Sequence, residues 1–237
     1  MLDILSHTET EAATISILDL LKRLRKNIVE LADGRFTQSP AFSSSKKVDM
    51  DKPFLIVPPD CIGTKRAVVV GINYVGTAAP ELKACQNDAL NFTRYLTKVH
   101  GFEEENIALL LDDGKCTNPT KWNIWTALHT MVRGSEAGDV CVFYFAGHGS
   151  NQADLGGDES DGRDEYLIPV DWDQRGGGFI VDDDLFEHVI VPLKEGVTFV
   201  GFMESCRSGT VLDLPYRFKF HDEDDEDANG HCCMHAD

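Results

Sequence analysis

Cys206 and His148 are the two side chains in this 237-residue sequence whose types and places most directly suggest chemistry. Each lies just beyond an apolar run. Val197-Thr-Phe-Val-Gly-Phe-Met leads to Glu204-Ser-Cys206, and Val140-Cys-Val-Phe-Tyr-Phe leads to Ala146-Gly-His148. A free thiol, with a pKa of about 8.5, is only a few per cent thiolate at neutral pH; an imidazole within reach takes its proton and makes it a far better nucleophile. Gly147 and Gly149 flank the histidine, and Ser208 and Gly209 follow the cysteine, which keeps the main chain uncrowded at both places. The N–H groups of Gly149 and Cys206 are then suited to hold the oxyanion of an acyl-transfer intermediate, where one donor contributes about 3 kcal/mol.

Acidic residues are the second chemical feature. The stretch Gly156-Gly-Asp-Glu-Ser-Asp-Gly-Arg-Asp-Glu and the run Asp182-Asp-Asp are dense in hard oxygen donors, of which calcium takes about six to eight. The spacing is not that of an EF-hand: with Gly162 at the invariant glycine position, Gly157 and Ile168 fall where the first and last ligands belong. A solvated loop with a helix start, or a cation site assembled from distant segments, both remain open on these residues. His231-Cys-Cys-Met-His is too crowded for a closed tetrahedral zinc site. Gly176-Gly-Gly lacks the strand–turn–helix setting of a phosphate loop and reads as a connection.

The elements that must carry these residues follow from periodicity. Residues 14–31 read as an amphipathic helix, with Thr14 as cap and Gly34 at its end. In Asp51-Lys-Pro-Phe-Leu-Ile-Val-Pro-Pro the prolines confine any strand to a sheet edge. Ala67–Asn73, Ile107–Leu111, Val140–Phe145 and Val197–Met203 are continuous apolar runs, as in strands buried on both faces of a parallel sheet. Helices are expected at 84–99 (with Cys85, Ala89, Phe92, Leu96 and Val99 on one stripe), at 120–132 (Trp122, Trp125, Leu128 and Met131) and near 184–193. Alternating strands and helices predict an α/β fold whose mainly parallel central sheet has helices on both faces. Such open sheets place their sites at the carboxyl ends of the strands, where Cys206 and His148 both fall.

Bulk properties narrow the partners. The net charge is −18, from 40 acidic and 22 basic residues, so nucleic acid and anionic membranes are disfavoured while basic peptides and divalent cations are favoured. No apolar run approaches the roughly 18 residues of a membrane span. Seven scattered cysteines and no visible secretory leader argue against a disulfide framework and for a reducing, cytoplasmic setting.

Several motifs in one order carry a resemblance. Ala67-Val-Val-Val-Gly-Ile-Asn-Tyr, Leu82-Lys-Ala-Cys-Gln-Asn-Asp-Ala, Phe143-Tyr-Phe-Ala-Gly-His-Gly, Ile180-Val-Asp-Asp-Asp and Glu204-Ser-Cys-Arg-Ser-Gly-Thr-Val-Leu-Asp-Leu-Pro resemble the metacaspases. These are calcium-dependent cysteine peptidases of the caspase–hemoglobinase fold. The likeness covers about residues 64–220, the family's large catalytic subunit. The segment from Ile17 through Phe36-Thr-Gln-Ser-Pro to Asp51-Lys-Pro-Phe is similar to the last helix and final strand of the small subunit. That order is the permuted one of type III. The small subunit's earlier strands are not found: the natural chain extends upstream, another polypeptide supplies them, or this member does without. The expected organisation is a small-subunit-like segment at 1–59, a catalytic domain at 60–220 and a disordered acidic tail at 221–237.

The resemblance implies a monomeric endopeptidase cutting basic peptides or proteins after Arg or Lys, with Cys206, His148 and Gly149 as catalytic residues. It implies a specificity pocket of Cys85, Asp88, Ala146 and Glu204, and a Ca2+ site of Asp164, Asp182, Asp183 and Asp213. The chain departs from the family at three places: glutamate for aspartate at 204, alanine for serine at 146, and arginine for histidine at 207. The longer Glu204 arm favours the shorter lysine. These departures also admit a catalytically impaired caspase-fold protein that acts as a calcium-dependent interaction module, and the acidic loops alone admit a calcium buffer.

Overall fold

The computed structural model describes residues 15–32, 39–153, 163–205, 211–218 and 235–236. The chain folds as two compact units, one of Met1–Leu55 with Leu214–Asp237 and the other of Ile56–Asp213.

In the larger unit the apolar runs become the strands β2 (Lys65–Gly71), β3 (Ile107–Leu111), β4 (Val140–Ala146) and β8 (Thr198–Glu204). All four lie parallel in the order β3-β2-β4-β8. Pleating sends alternate residues to opposite faces. Tyr144 and Phe202 meet Phe92 of helix α2 (Cys85–Lys98), with ring centroids 4.3 and 5.0 Å from it. Val68, Val70, Phe143 and Phe145 share the opposite core with Ile124 and Leu128 of helix α3 (Lys121–Arg133). The sheet is therefore covered by helices on both faces, as the sequence predicts. Thr120 caps α3, its Oγ1 accepting from the Asn123 N–H at 3.2 Å.

Three expectations are corrected here. Trp122 is 76% exposed, because the buried stripe of α3 runs through Ile124, Leu128 and Met131, on the opposite side of the helix from it. Val99 stands outside α2 and is also exposed, since the chain turns away at Gly101 (φ +65°). The helix expected near 184–193 begins earlier: α4 (Asp182–Leu185) runs into a π-helical turn (Phe186–Ile190). That turn closes through the Val191 N–H on the Phe186 carbonyl at 2.9 Å, just before Pro192, which has no N–H to continue it.

One sheet was not anticipated. β5 (Gly149–Ala153), β6 (Arg163–Leu167) and β7 (Ile180–Val181) form an antiparallel set in that order. Arg163-Asp-Glu-Tyr-Leu reads from sequence as the end of an acidic loop because four of its five residues are polar or carry a polar tip.

In the smaller unit helix α1 (Ile17–Ala32) buries Ile17 and Leu21 against Met50 and Phe218. Its cap is Ser16, whose Oγ accepts from the Asp19 N–H at 3.0 Å; Thr14 and Gly34 lie outside the described residues. The proline-rich segment after Asp51 makes an isolated bridge, Ser16 to Pro53, rather than an edge strand. β1 (Phe42–Ser44) pairs antiparallel with β9 (Tyr216–Phe218), which also pairs with β10 (His235–Ala236). Those last two residues were expected to be disordered; the rest of 221–237 lies outside the described residues.

Candidate active site

β4 and β8 are neighbours, with Ala146 directly opposite Glu204. His148 is two residues past Ala146 and Cys206 two residues past Glu204, so both positions follow the same edge of the sheet. Cys206 and Arg207 themselves lie outside the described residues.

His148 is fixed by its surroundings. The Pro80 carbonyl oxygen is 2.7 Å from Nε2. A carbonyl only accepts, which makes Nε2 the protonated nitrogen and leaves Nδ1 with the lone pair that proton abstraction needs. The His148 main-chain N–H donates to the Tyr74 hydroxyl at 2.9 Å, and its carbonyl accepts from the Ile168 N–H at 3.1 Å. The Tyr74 ring centroid is 4.7 Å from that of the imidazole. Gly147 has a packing reason to be glycine: a Cβ there would sit 2.8 Å from the Tyr74 hydroxyl and 3.0 Å from the Phe145 ring. Gly149 opens β5 opposite Leu167.

Cys85, Asp88 and Glu204 come together at the start of α2 and the end of β8: the Cys85 thiol feels the charges of Asp88 and Glu204, and Glu204 that of Asp88. Ala146 adjoins them as the partner of Glu204 across the sheet. Glu204 keeps its access to solvent, while the protein around its carboxyl raises its pKa; a hydrogen bond from Tyr144 to Oε2 at 2.8 Å opposes that rise, and Asp88 adds to it. Asp88 is raised by burial. The Cys85 thiol is pushed up to about 11, first by burial and then by Asp88 and Glu204.

The acidic residues are brought together in part. Asp164 on β6 is buried and accepts from Gln152 Nε2 at 3.3 Å. Asp182, 1% exposed, accepts from the Glu165 and Asp183 N–H groups at 2.6 and 3.0 Å. Burial, with Asp183 and Asp164 adding repulsion against these two bonds, pushes Asp182 to about 7. Among the described residues neither Asp164 nor Asp182 has an ion-pair partner, and the charge of one acts on the other. That donor set suits a hard divalent cation. Asp213 stands in a left-handed turn (φ 44°), a conformation that aspartate tolerates. Among the described residues no three His, Cys, Asp or Glu side chains gather as a coordination group, so the expected four are not all assembled.

Sequence reasoning missed Tyr74, Pro80, Asp112 and Tyr144. Pro80 acts through a carbonyl, which no side-chain pattern reveals, and Tyr144 reads as one more apolar residue of a buried strand. A cavity of about 330 Å³ lined by Trp122, Trp125, Thr126, His129, Asp184 and His188 contains none of the residues expected in the active site.

A four-stranded parallel sheet with helices on both faces, bearing a histidine and the carboxylates of Asp88 and Glu204 near its carboxyl edge, defines an α/β protein of caspase-like architecture. Residues 65–215 match the model of the metacaspase peptidase C14 domain, and the chain belongs to the metacaspase family. It is 44% identical over 212 residues to metacaspase III c of Phaeodactylum tricornutum, covering 89% of this chain and 61% of that one. That match takes in more than residues 65–215 and groups the chain with type III. It is 42% identical to metacaspase-1 of Pyricularia oryzae over 66% of this chain and 39% of the relative, and 42% identical to metacaspase-1 of Cryptococcus neoformans over 66% and 34%. The chain thus spans between about a third and three-fifths of the length of these relatives. No described helix is long and apolar enough to cross a membrane.

Proposed function

We propose that the protein is a calcium-activated cysteine endopeptidase that cleaves after Arg or Lys, acting as a cytoplasmic monomer. The observation that carries this reading is the Pro80 carbonyl on His148 Nε2, which leaves Nδ1 as the base just past the strand that neighbours the one leading to Cys206. His148 takes the Cys206 thiol proton, and the sulfur attacks the scissile carbonyl carbon. The proton passes to the leaving amine as the C–N bond breaks, giving a thioester; water activated by His148 then releases the acid and restores the thiol. The N–H groups of Gly149 and Cys206 hold the oxyanion.

Glu204 and Asp88 give the pocket its negative charge, Ala146 and Cys85 its small walls, and a guanidinium or ammonium group relieves the repulsion between the carboxylates. Asp164, Asp182, Asp183 and Asp213 would hold Ca2+, which neutralises buried charge and orders the segment between Cys206 and Pro215. Ala146 and Arg207 favour a second reading, an impaired caspase-fold protein that binds partners when calcium is present. A fluorogenic peptide ending in Arg or Lys, assayed with calcium and with a chelator, tests the proposal. Calcium-dependent cleavage lost in Cys206→Ala supports a peptidase; no cleavage, or an unaffected Cys206→Ala variant, refutes it.

A further inference from the structure

Tyr74 has a left-handed backbone (φ 59°) although its side chain is aromatic and 1% exposed. Strain of that kind persists only where surrounding contacts over-determine it, and it concentrates at functional sites. The contacts are present at both ends of the residue. At the main chain, Asp112 accepts from the Tyr74 N–H at 2.7 Å, the Asn73 N–H at 2.9 Å and Gln86 Nε2 at 2.7 Å. At the far end, the hydroxyl accepts from the His148 N–H at 2.9 Å and donates to the Ile168 carbonyl at 2.6 Å. The Ile168 N–H in turn donates to the His148 carbonyl, closing a ring of three hydrogen bonds around the histidine's main chain.

We infer that Tyr74, locked by Asp112, is a positioning residue for His148: its hydroxyl fixes the main chain of the Gly147–His148 turn, and its ring sets the plane of the imidazole. This rests on the reading of His148 as the proton-transfer group. A purely space-filling tyrosine would need its ring but not its hydroxyl, and both hydroxyl partners here belong to the histidine turn or to the segment paired with it. Burial raises the Tyr74 pKa, so the hydroxyl keeps its proton and its two bonds at all working pH values. The same loop carries Pro80, so the lock on Tyr74 also bears on the carbonyl that selects the imidazole tautomer. A misplacement of the base by about 1 Å is enough to cost roughly 100-fold in rate.

The test is Tyr74→Phe in the full chain, assayed on the basic fluorogenic peptide and by the pH dependence of Cys206 alkylation with iodoacetamide. Expected is a 10- to 100-fold fall in kcat with KM within about two-fold of wild type, a folded protein whose thermal midpoint is lower because the His148 N–H and the Ile168 carbonyl lose their partner, and an alkylation profile moved toward that of an isolated thiol. Asp112→Asn should give the same signature, and the double variant should be no worse than the weaker single one, because both act on one element. If Tyr74→Phe does not fold, Asp112→Asn carries the test. Wild-type kcat and alkylation profile in a folded variant, beside an inactive His148→Ala, would overturn the positioning role alone. An active His148→Ala would instead remove the dyad and the positioning role with it.

Discussion

In the proposed pocket Glu204 has to be charged to attract a basic side chain, yet desolvation by the protein around its carboxyl raises its pKa, Asp88 raises it further, and the Tyr144 hydroxyl opposes the rise. Removing that hydroxyl, as Tyr144→Phe, raises the carboxyl's pKa again, so more Glu204 is neutral in mildly acidic solution. The acid limb of kcat/KM for a basic peptide should then move to higher pH, while the alkaline limb stays; an unmoved acid limb would refute the role of Tyr144. The stability sign is opposite to that of an ordinary ion-paired carboxylate. Because the folded pKa lies above the unfolded one, the stabilising contribution is complete below the unfolded value and is lost as pH rises through the folded one. Tyr144→Phe should therefore steepen the loss of stability on that ascent. The motifs around Glu204 and Asp88 single them out in the sequence as candidates, and the structure brings the two carboxylates near each other. Tyr144 is not singled out, because a tyrosine inside Val-Cys-Val-Phe-Tyr-Phe looks like core, and its polar tip has meaning only once β8 is known to lie beside β4.

The parallel strands were readable to within about two residues because each is written as one apolar run, the inner β2 and β4 buried on both faces and the outer β3 and β8 partly so. β5 to β7 were not, because β5 and β6 are short and mostly polar, β7 is two residues long, and such antiparallel pieces carry their pairing in register rather than in hydrophobicity. Helix phase was harder than helix existence: α3 turns Ile124 inward and leaves Trp122 outside, a choice made by the shape of the sheet beneath it. α2 shows how closely an element can be set. A Cβ on Gly71 of β2 would come within 2.5 Å of the Cys85 carbonyl oxygen and 2.7 Å of the Ala89 Cβ, so the first turn of α2 rests directly on the strand. Gly71→Ala is expected to cost about 1–3 kcal/mol by overpacking. Since Cys85 and Asp88 ride on that turn, KM for basic peptides should rise more than kcat falls. A variant with wild-type KM and a normal thermal midpoint would show that the turn yields without moving the pocket.

Charge governs the molecule as a whole. A net −18 repels itself, and Asp164 and Asp182 concentrate that repulsion inside the larger unit. A cation that binds only the folded form stabilises it by about 2.7 kcal/mol at a free concentration 100 times its Kd. For a domain of this size that is a rise of roughly 5–10 °C in thermal midpoint. Calcium should produce such a rise, and an equal ionic strength of sodium chloride should not, since screening acts weakly on buried charges. Asp182→Asn separates the two contributions of the carboxylate with opposite signs. Without calcium the variant should lose the fall in stability that wild type shows as pH rises through about 7, because the buried charge has gone, although one of the two N–H bonds to the carboxylate goes with it; with calcium it should gain nothing, because a ligand has gone. A wild-type protein whose melting is indifferent to calcium, or an Asp182→Asn variant that retains the full increment, would sever Asp164 and Asp182 from any calcium switch.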